Sequence, residues 1–257
     1  MRIFSVLILA GVCLASPAMA QSLPACAGGV EIAGAKIMRV EKNGALILTD
    51  GRAVTLEGIR LASADSGAPG IANDALNALR SLAMAHPLTL TAVAPKEDRY
   101  DRVRVQAFGD RWIQLDLLRR GLARVEIAPD RNECAGEFYR AEKQARESRI
   151  ELWANALFGI RKPDAVTASD QDSFQIVEGQ VMNAASHDGR LSLDFSSDYR
   201  RGFSVLIAPE DHAAFRGTRP PVEDLEGHTI RVRGIVQTVN GKPQIAISNP
   251  AQIEFIQ

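Results

Sequence analysis

Few residues in this 257-residue chain stand at spacings that carry chemistry. Asp98 and Arg102 are four apart in Asp98-Arg99-Tyr100-Asp101-Arg102, a carboxylate and a guanidinium able to meet across a hairpin. As a surface ion pair such a couple contributes only ~0–1 kcal/mol. Cys26 and Cys134 have no Cys or His partner at zinc-ligand spacing. In an oxidising compartment a disulfide between them is the simplest reading, worth ~2–4 kcal/mol; a metal site and a reactive thiol are the rival readings. His86, His187, His212 and His228 fall in predicted loops or element ends without ligand spacing, and no role is assigned to them. Trp112 and Trp153 read as packing anchors rather than stacking platforms. Asp198-Tyr199-Arg200-Arg201 reads as a charged loop or as a nucleic-acid contact.

Composition sets the frame around these groups. Apolar residues make up 46% and charged residues 24%, an ordinary globular mixture that excludes a disordered or fibrous chain. Thirty Lys and Arg against 31 Asp and Glu remove the global basic footprint of many nucleic-acid binders. An aromatic content of 5% limits base stacking as a source of affinity. Residues 1–20 have the plan of a secretory signal: Arg2, an apolar run over 3–15, and Ala18-Met19-Ala20 before a cut at Gln21. That run is shorter than the ~20 residues that span a bilayer, so no membrane span is expected and the protein is expected to be periplasmic or secreted.

The elements that must position the candidate groups follow from periodicity. Lys36-Ile37-Met38-Arg39-Val40, then 45–49 and 53–59, alternate as antiparallel strands, with Asn43-Gly44 and Asp50-Gly51 between them. A helix is predicted over 70–85, stopped by Pro87, followed by strands at 88–93 and 103–108. A short helix starts at Gln114. Asn132 is placed to cap a longer helix with Ala135, Phe138, Ala141 and Ala145 inside. Five strands with interleaved helices predict a mainly β, α+β domain: an OB-type five-stranded barrel with flanking helices. Residues 159–173 read as a linker. Residues 174–257 are strand-rich, with Asn240-Gly241 as a hairpin turn, and predict a second small β-barrel-like domain.

The first domain, assigned to residues 26–158, resembles the thermonuclease (staphylococcal nuclease-like) family. The resemblance rests on Asp50-Gly51-Arg52-Ala53-Val54-Thr55-Leu56-Glu57-Gly58-Ile59, on Asp98 to Arg102, on Trp112-Ile113-Gln114, and on Gly121-Leu122-Ala123-Arg124-Val125. Glu142, Ala145-Arg146 and Leu152-Trp153 add the look of the family's closing helix. The second domain, 174–257, resembles the OB-like extension of some secreted homologues.

That family hydrolyses phosphodiesters with a calcium ion, a carboxylate base and guanidinium groups on the phosphate. Placed on this chain, the resemblance sets its acidic loop on Lys42-Asn43-Gly44-Ala45, its first arginine on Thr55, its second metal-ligand aspartate on Arg60, and its Pro-Glu pair on Ala62-Ser63. Asp98 and Arg102 alone keep the family's residue types. The calcium site is therefore expected to be lost and no cofactor is expected. Lys42, Arg60 and Arg102 are expected to converge on the old cleft as an anion site for nucleic acid, phosphate or an acidic peptide. The alternative expectation is an active metal-dependent phosphodiesterase with a rearranged site, using Glu57 or Asp65 as base.

Overall fold

A computed structural model of the protein describes residues 23–63, 67–98, 101–198 and 201–256. The leader at 1–20, Asp65, and residues 99–100 and 199–200 of the two charged stretches lie outside the described residues.

The first half runs β1 (Gly29–Ala35), β2 (Ile37–Val40), β3 (Leu46–Leu48), β4 (Ala53–Leu56), β5 (Ile59–Leu61), α1 (Pro69–Met84), β6 (Leu88–Ala92), β7 (Val103–Phe108), α2 (Ile113–Arg119), β8 (Ala123–Val125) and α3 (Ala135–Glu147). Its main sheet has the order β1-β6-β7-β4-β3-β2. Only Lys36 separates β1 from β2, so the two ends of that path are consecutive pieces of one bent strand. Counted this way, five strands follow the path first, second, third, fifth, fourth and back to first. The third and fifth, β4 and β7, pair parallel, as in an OB-type fold.

The predicted third strand over 53–59 breaks instead at Glu57-Gly58. Gly58 has φ +84°, and a Cβ there would lie 2.2 Å from the Phe138 ring, so only glycine fits. Past the break, β5 leaves the barrel to pair with β8. Asn132 does not cap α3 with its side chain; Cys134 is the N-cap residue, and Asn132 Nδ2 reaches Asn249 Oδ1 at 3.2 Å. Buried Gln114 ties α2 to β7, accepting from Ala107 N at 3.2 Å and donating to Val105 O at 2.8 Å. Trp112 packs between Phe108 and Phe138 with ring centroids 5.2 and 5.3 Å away.

The second half contains β9 (Ile160–Arg161), β10 (Phe174–Gln180), β11 (Asn183–His187), β12 (Arg190–Asp194), β13 (Ser204–Ile207), α4 (His212–Phe215), β14 (Thr229–Val239), β15 (Lys242–Ala246) and β16 (Ile253–Phe255). Its sheet path is β11-β12-β13-β15-β14-β10-β9. With β10 and β11 counted as one bent strand, this repeats the path of the first half. The parallel pair between third and fifth strands, β13 and β15, is repeated as well. Asn240 and Gly241 turn β14 into β15 with φ of 52° and 79°, the two positive values a type I′ hairpin needs. The stretch 159–173, linker-like in composition, carries β9 and two 3-10 turns, and β9 pairs parallel with β10.

Each half has its own apolar core: Leu46, Leu79, Leu90, Val105 and Leu117 in one, Leu193, Val205, Ile230, Val232 and Ile245 in the other. A third cluster, including Ala72, Trp153, Phe158, Phe174 and Ile176, joins them. Beside it, Arg233 of β14 is fully buried and pairs with Glu142 of α3 at 3.0 Å and with Glu254 at 2.5 Å. Glu142 Oε1 also accepts from Val125 N at 2.7 Å. Burial alone would depress the Arg233 pKa, but Glu142, Tyr139 and Glu254 together hold it above its ordinary value.

Candidate functional site

The β2–β3 turn places Lys42. Gly44 turns the chain at φ +85°, Gly44 N donates to Glu41 O, and Ala45 N donates to Asn43 Oδ1. Lys42 is left on the rim, exposed and with no ion pair to any described residue. Facing it, β5 brings Arg60. The two line a groove of about 330 Å³ together with Thr55, Ser63 and Glu126.

Arg60 Nη2 pairs with Glu126 Oε1 at 2.5 Å, while its buried Nε has no hydrogen-bond partner. Among the described residues, Glu126 is the only carboxylate lining this groove. It escaped the sequence reading because its position follows from the pairing of β5 with β8, two short strands far apart in the chain. Among the described residues, no three His, Cys, Asp or Glu side chains gather where they could hold a metal ion.

The same register sets Arg60 directly opposite Arg124. Like charges facing each other across a ladder repel. Both guanidiniums stack on Phe174, at 5.2 and 4.8 Å from its centroid, and Arg124 also lies 5.2 Å from the Phe158 centroid. Arg124 is 5% exposed and makes no ion pair with any described residue; its Nη1 donates to Phe174 O at 3.3 Å. Burial, with Arg60 beside it, lowers its pKa to about 10. A second groove of about 500 Å³ starts from Arg60, Leu61 and Ser63 and continues past Arg124 and Phe174 to Arg161. The second half thus lines this second groove through the start of β10.

Arg102 is not among the residues lining either groove. It closes the β6–β7 hairpin on Asp98, with Nε 2.9 Å and Nη2 2.7 Å from Asp98 Oδ2. The Asp98 carboxylate also accepts from the Arg102 backbone N–H at 3.0 Å. Glu57 lines a third cavity, with Arg104 and Arg131, and burial raises its pKa. Cys26 and Cys134 form a disulfide with Cα atoms 5.2 Å apart, tying the stretch before β1 to the start of α3. Among the described residues no helix is long and apolar enough to cross a membrane.

Residues 68–155 match the family model described as staphylococcal nuclease homologue. Among curated proteins, none matches the sequence. The family match runs from the start of α1 past Trp153 and includes Asp98 and Arg102. It begins after Lys42, Thr55, Arg60 and Ser63, so it does not cover the positions on which the resemblance set the family's remaining catalytic types. The chain therefore carries a thermonuclease-like domain of the staphylococcal nuclease type.

Proposed function

We propose that this protein is a thermonuclease-like binding module whose hydrolytic site is degenerate and whose groove holds an anionic ligand without cutting it. One observation carries the reading: the groove that would cradle a cation is lined by Lys42 and Arg60, and the one carboxylate among its described residues, Glu126, is engaged by Arg60. Calcium takes six to eight oxygens, several of them charged. The donor set here does not fit it, and no step is derived through a metal.

For an anion this groove and the second one, which share Arg60, are well furnished. Lys42 supplies a mobile ammonium at the rim, and Arg60 and Arg124 supply planar guanidiniums already held against aromatic rings. An anion bridging Arg60 and Arg124 would relieve the repulsion that their cross-strand register imposes. The ligand class this favours is a phosphate-bearing one, a short single-stranded nucleic acid or free phosphate. In the rival reading of an active phosphodiesterase, Glu57 or Asp65 would act as base; Glu57 lines a different cavity from Lys42 and Arg60, and Asp65 lies outside the described residues. The signal-like sequence at 1–20 and the disulfide support export to an oxidising compartment, and we place the protein in the periplasm or outside the cell.

The test is digestion of supercoiled plasmid and single-stranded DNA in calcium, magnesium or EDTA, beside a binding titration with short oligonucleotides. Salt-sensitive binding that weakens on Lys42→Ala or Arg60→Ala, with no metal-dependent product, is the expected result. Metal-dependent cleavage lost on Arg102→Ala would overturn it.

A further inference from the structure

Away from the groove, a small cavity opens beside the Cys26–Cys134 disulfide, between the β4–β5 break, β6, β7 and the start of α3. Arg131 lines it and is 4% exposed, yet neither its Nε nor its Nη2 has a hydrogen-bond partner. These two atoms form one edge of the planar guanidinium, the edge whose parallel N–H bonds match the two oxygens of a carboxylate. We infer that this cavity is a binding site for a carboxylate group, received by the Nε/Nη2 edge of Arg131.

The rest of the lining agrees. Arg104 adds a second buried Nε without a hydrogen-bond partner, while both its Nη atoms are held by Asp130 at 2.7 Å. The N-terminus of the 13-residue helix α3 carries no side-chain cap, and its residues Cys134 and Ala135 line the same space. Among the lining side chains three buried nitrogens lack a hydrogen-bond partner and no buried oxygen does. Of the acceptors, Glu57 lies 3.5 Å from Arg104 Nε, and Thr91, Gln106 and the exposed Glu133 also line the space. Burial raises the Glu57 pKa against the pull of Arg104 and Arg131, and Asp130 and Glu133 act in the same upward direction. Size selects further: the free space is about 20 Å³, room for between one and two water-sized groups. The two oxygens of a carboxylate are the part that such a space can take in, and a larger four-oxygen phosphate is disfavoured. The disulfide joins the two walls, residues 25–27 and 131–135.

Acetate is the probe. In the full chain with its disulfide formed, thermal unfolding in sodium acetate is compared with sodium chloride and sodium phosphate at one pH and ionic strength. A saturable upward shift in Tm of about 4 °C is expected with acetate alone. It should vanish in Arg131→Met and Arg131→Lys and persist in Lys42→Ala, which separates this site from the anion groove. If the Arg131 variants fail to fold, the arginine Nε–H resonances of the wild-type protein answer the question: one must move on adding acetate and stay still in chloride. No acetate response, an equal response to chloride or phosphate, or a crystal grown in acetate with only water on Arg131 would overturn the assignment.

Discussion

The two halves of this protein walk the same strand path and use it differently. In the first barrel, the link from third to fourth strand grows into the 16-residue helix α1, and the chain after the fifth strand adds α2, β8 and α3. In the second barrel the same two places hold 3-10 turns, the four-residue helix α4 and the short strand β16. The charges differ in the same way. Arg231, Arg233 and Lys242 of the second barrel are matched to Glu178, Glu142, Glu254 and Asp194. In the first barrel, Lys42 and Arg124 meet no described carboxylate, and Arg60 shares only Glu126. The second barrel matches these cations, one of them across the junction to Glu142, while Lys42, Arg60 and Arg124 of the first face grooves. A shared topology therefore says little about function until the loops and charges are placed on it.

The largest test of this contrast is at the junction. Glu142→Gln leaves Arg233 short of its main counter-ion in a fully buried site, and breaking such a pair costs about 3–5 kcal/mol. Urea unfolding should show that loss, while ligand binding at the groove survives in the folded fraction. The replacement of Cys26 and Cys134 by Ser removes a link between positions 108 apart and should cost about 2–4 kcal/mol, read in the same experiment.

Acid titration sharpens the comparison. Burial pushes the Glu254 pKa up, but Arg233 and Arg231 outweigh it and the net shift is downward. A depressed carboxylate contributes stability above its unfolded pKa of about 4.3 and loses it as pH falls through the folded value. Glu254→Gln should therefore flatten the decline of stability below about pH 4.5. In the groove, Lys42→Ala should weaken oligonucleotide binding several-fold and reduce the salt slope by about 1. Lys242→Ala, already matched to Asp194 at 2.8 Å, should leave binding unchanged. The smallest effect belongs to Asp98→Asn, about 0–1 kcal/mol in stability, because Arg102 is partly solvated.

Much of the fold was legible because period-2 alternation and turn residues mark strands locally. The helix over 70–85, the strands at 88–93 and 103–108, and the Asn240-Gly241 hairpin fall within a few residues of their predicted places. Repetition of one path in both halves was not legible. It resides in pairings such as β4 with β7 and β13 with β15, which leave no local signal. The break at Gly58 was hidden for the same reason, since Phe138, 80 positions away, is what makes a side chain impossible there. Lys42 and Arg60 were found through family resemblance. Glu126, Arg124 and Phe174 were missed because a three-residue strand and an interdomain contact bring them together.

The account's central claim is tested most directly by following the anisotropy of a fluorescein-labelled single-stranded oligonucleotide with the purified protein in calcium, then adding EDTA. The account predicts a salt-sensitive rise that stays constant for hours and is indifferent to EDTA. A signal that decays in calcium and is arrested by EDTA would contradict it.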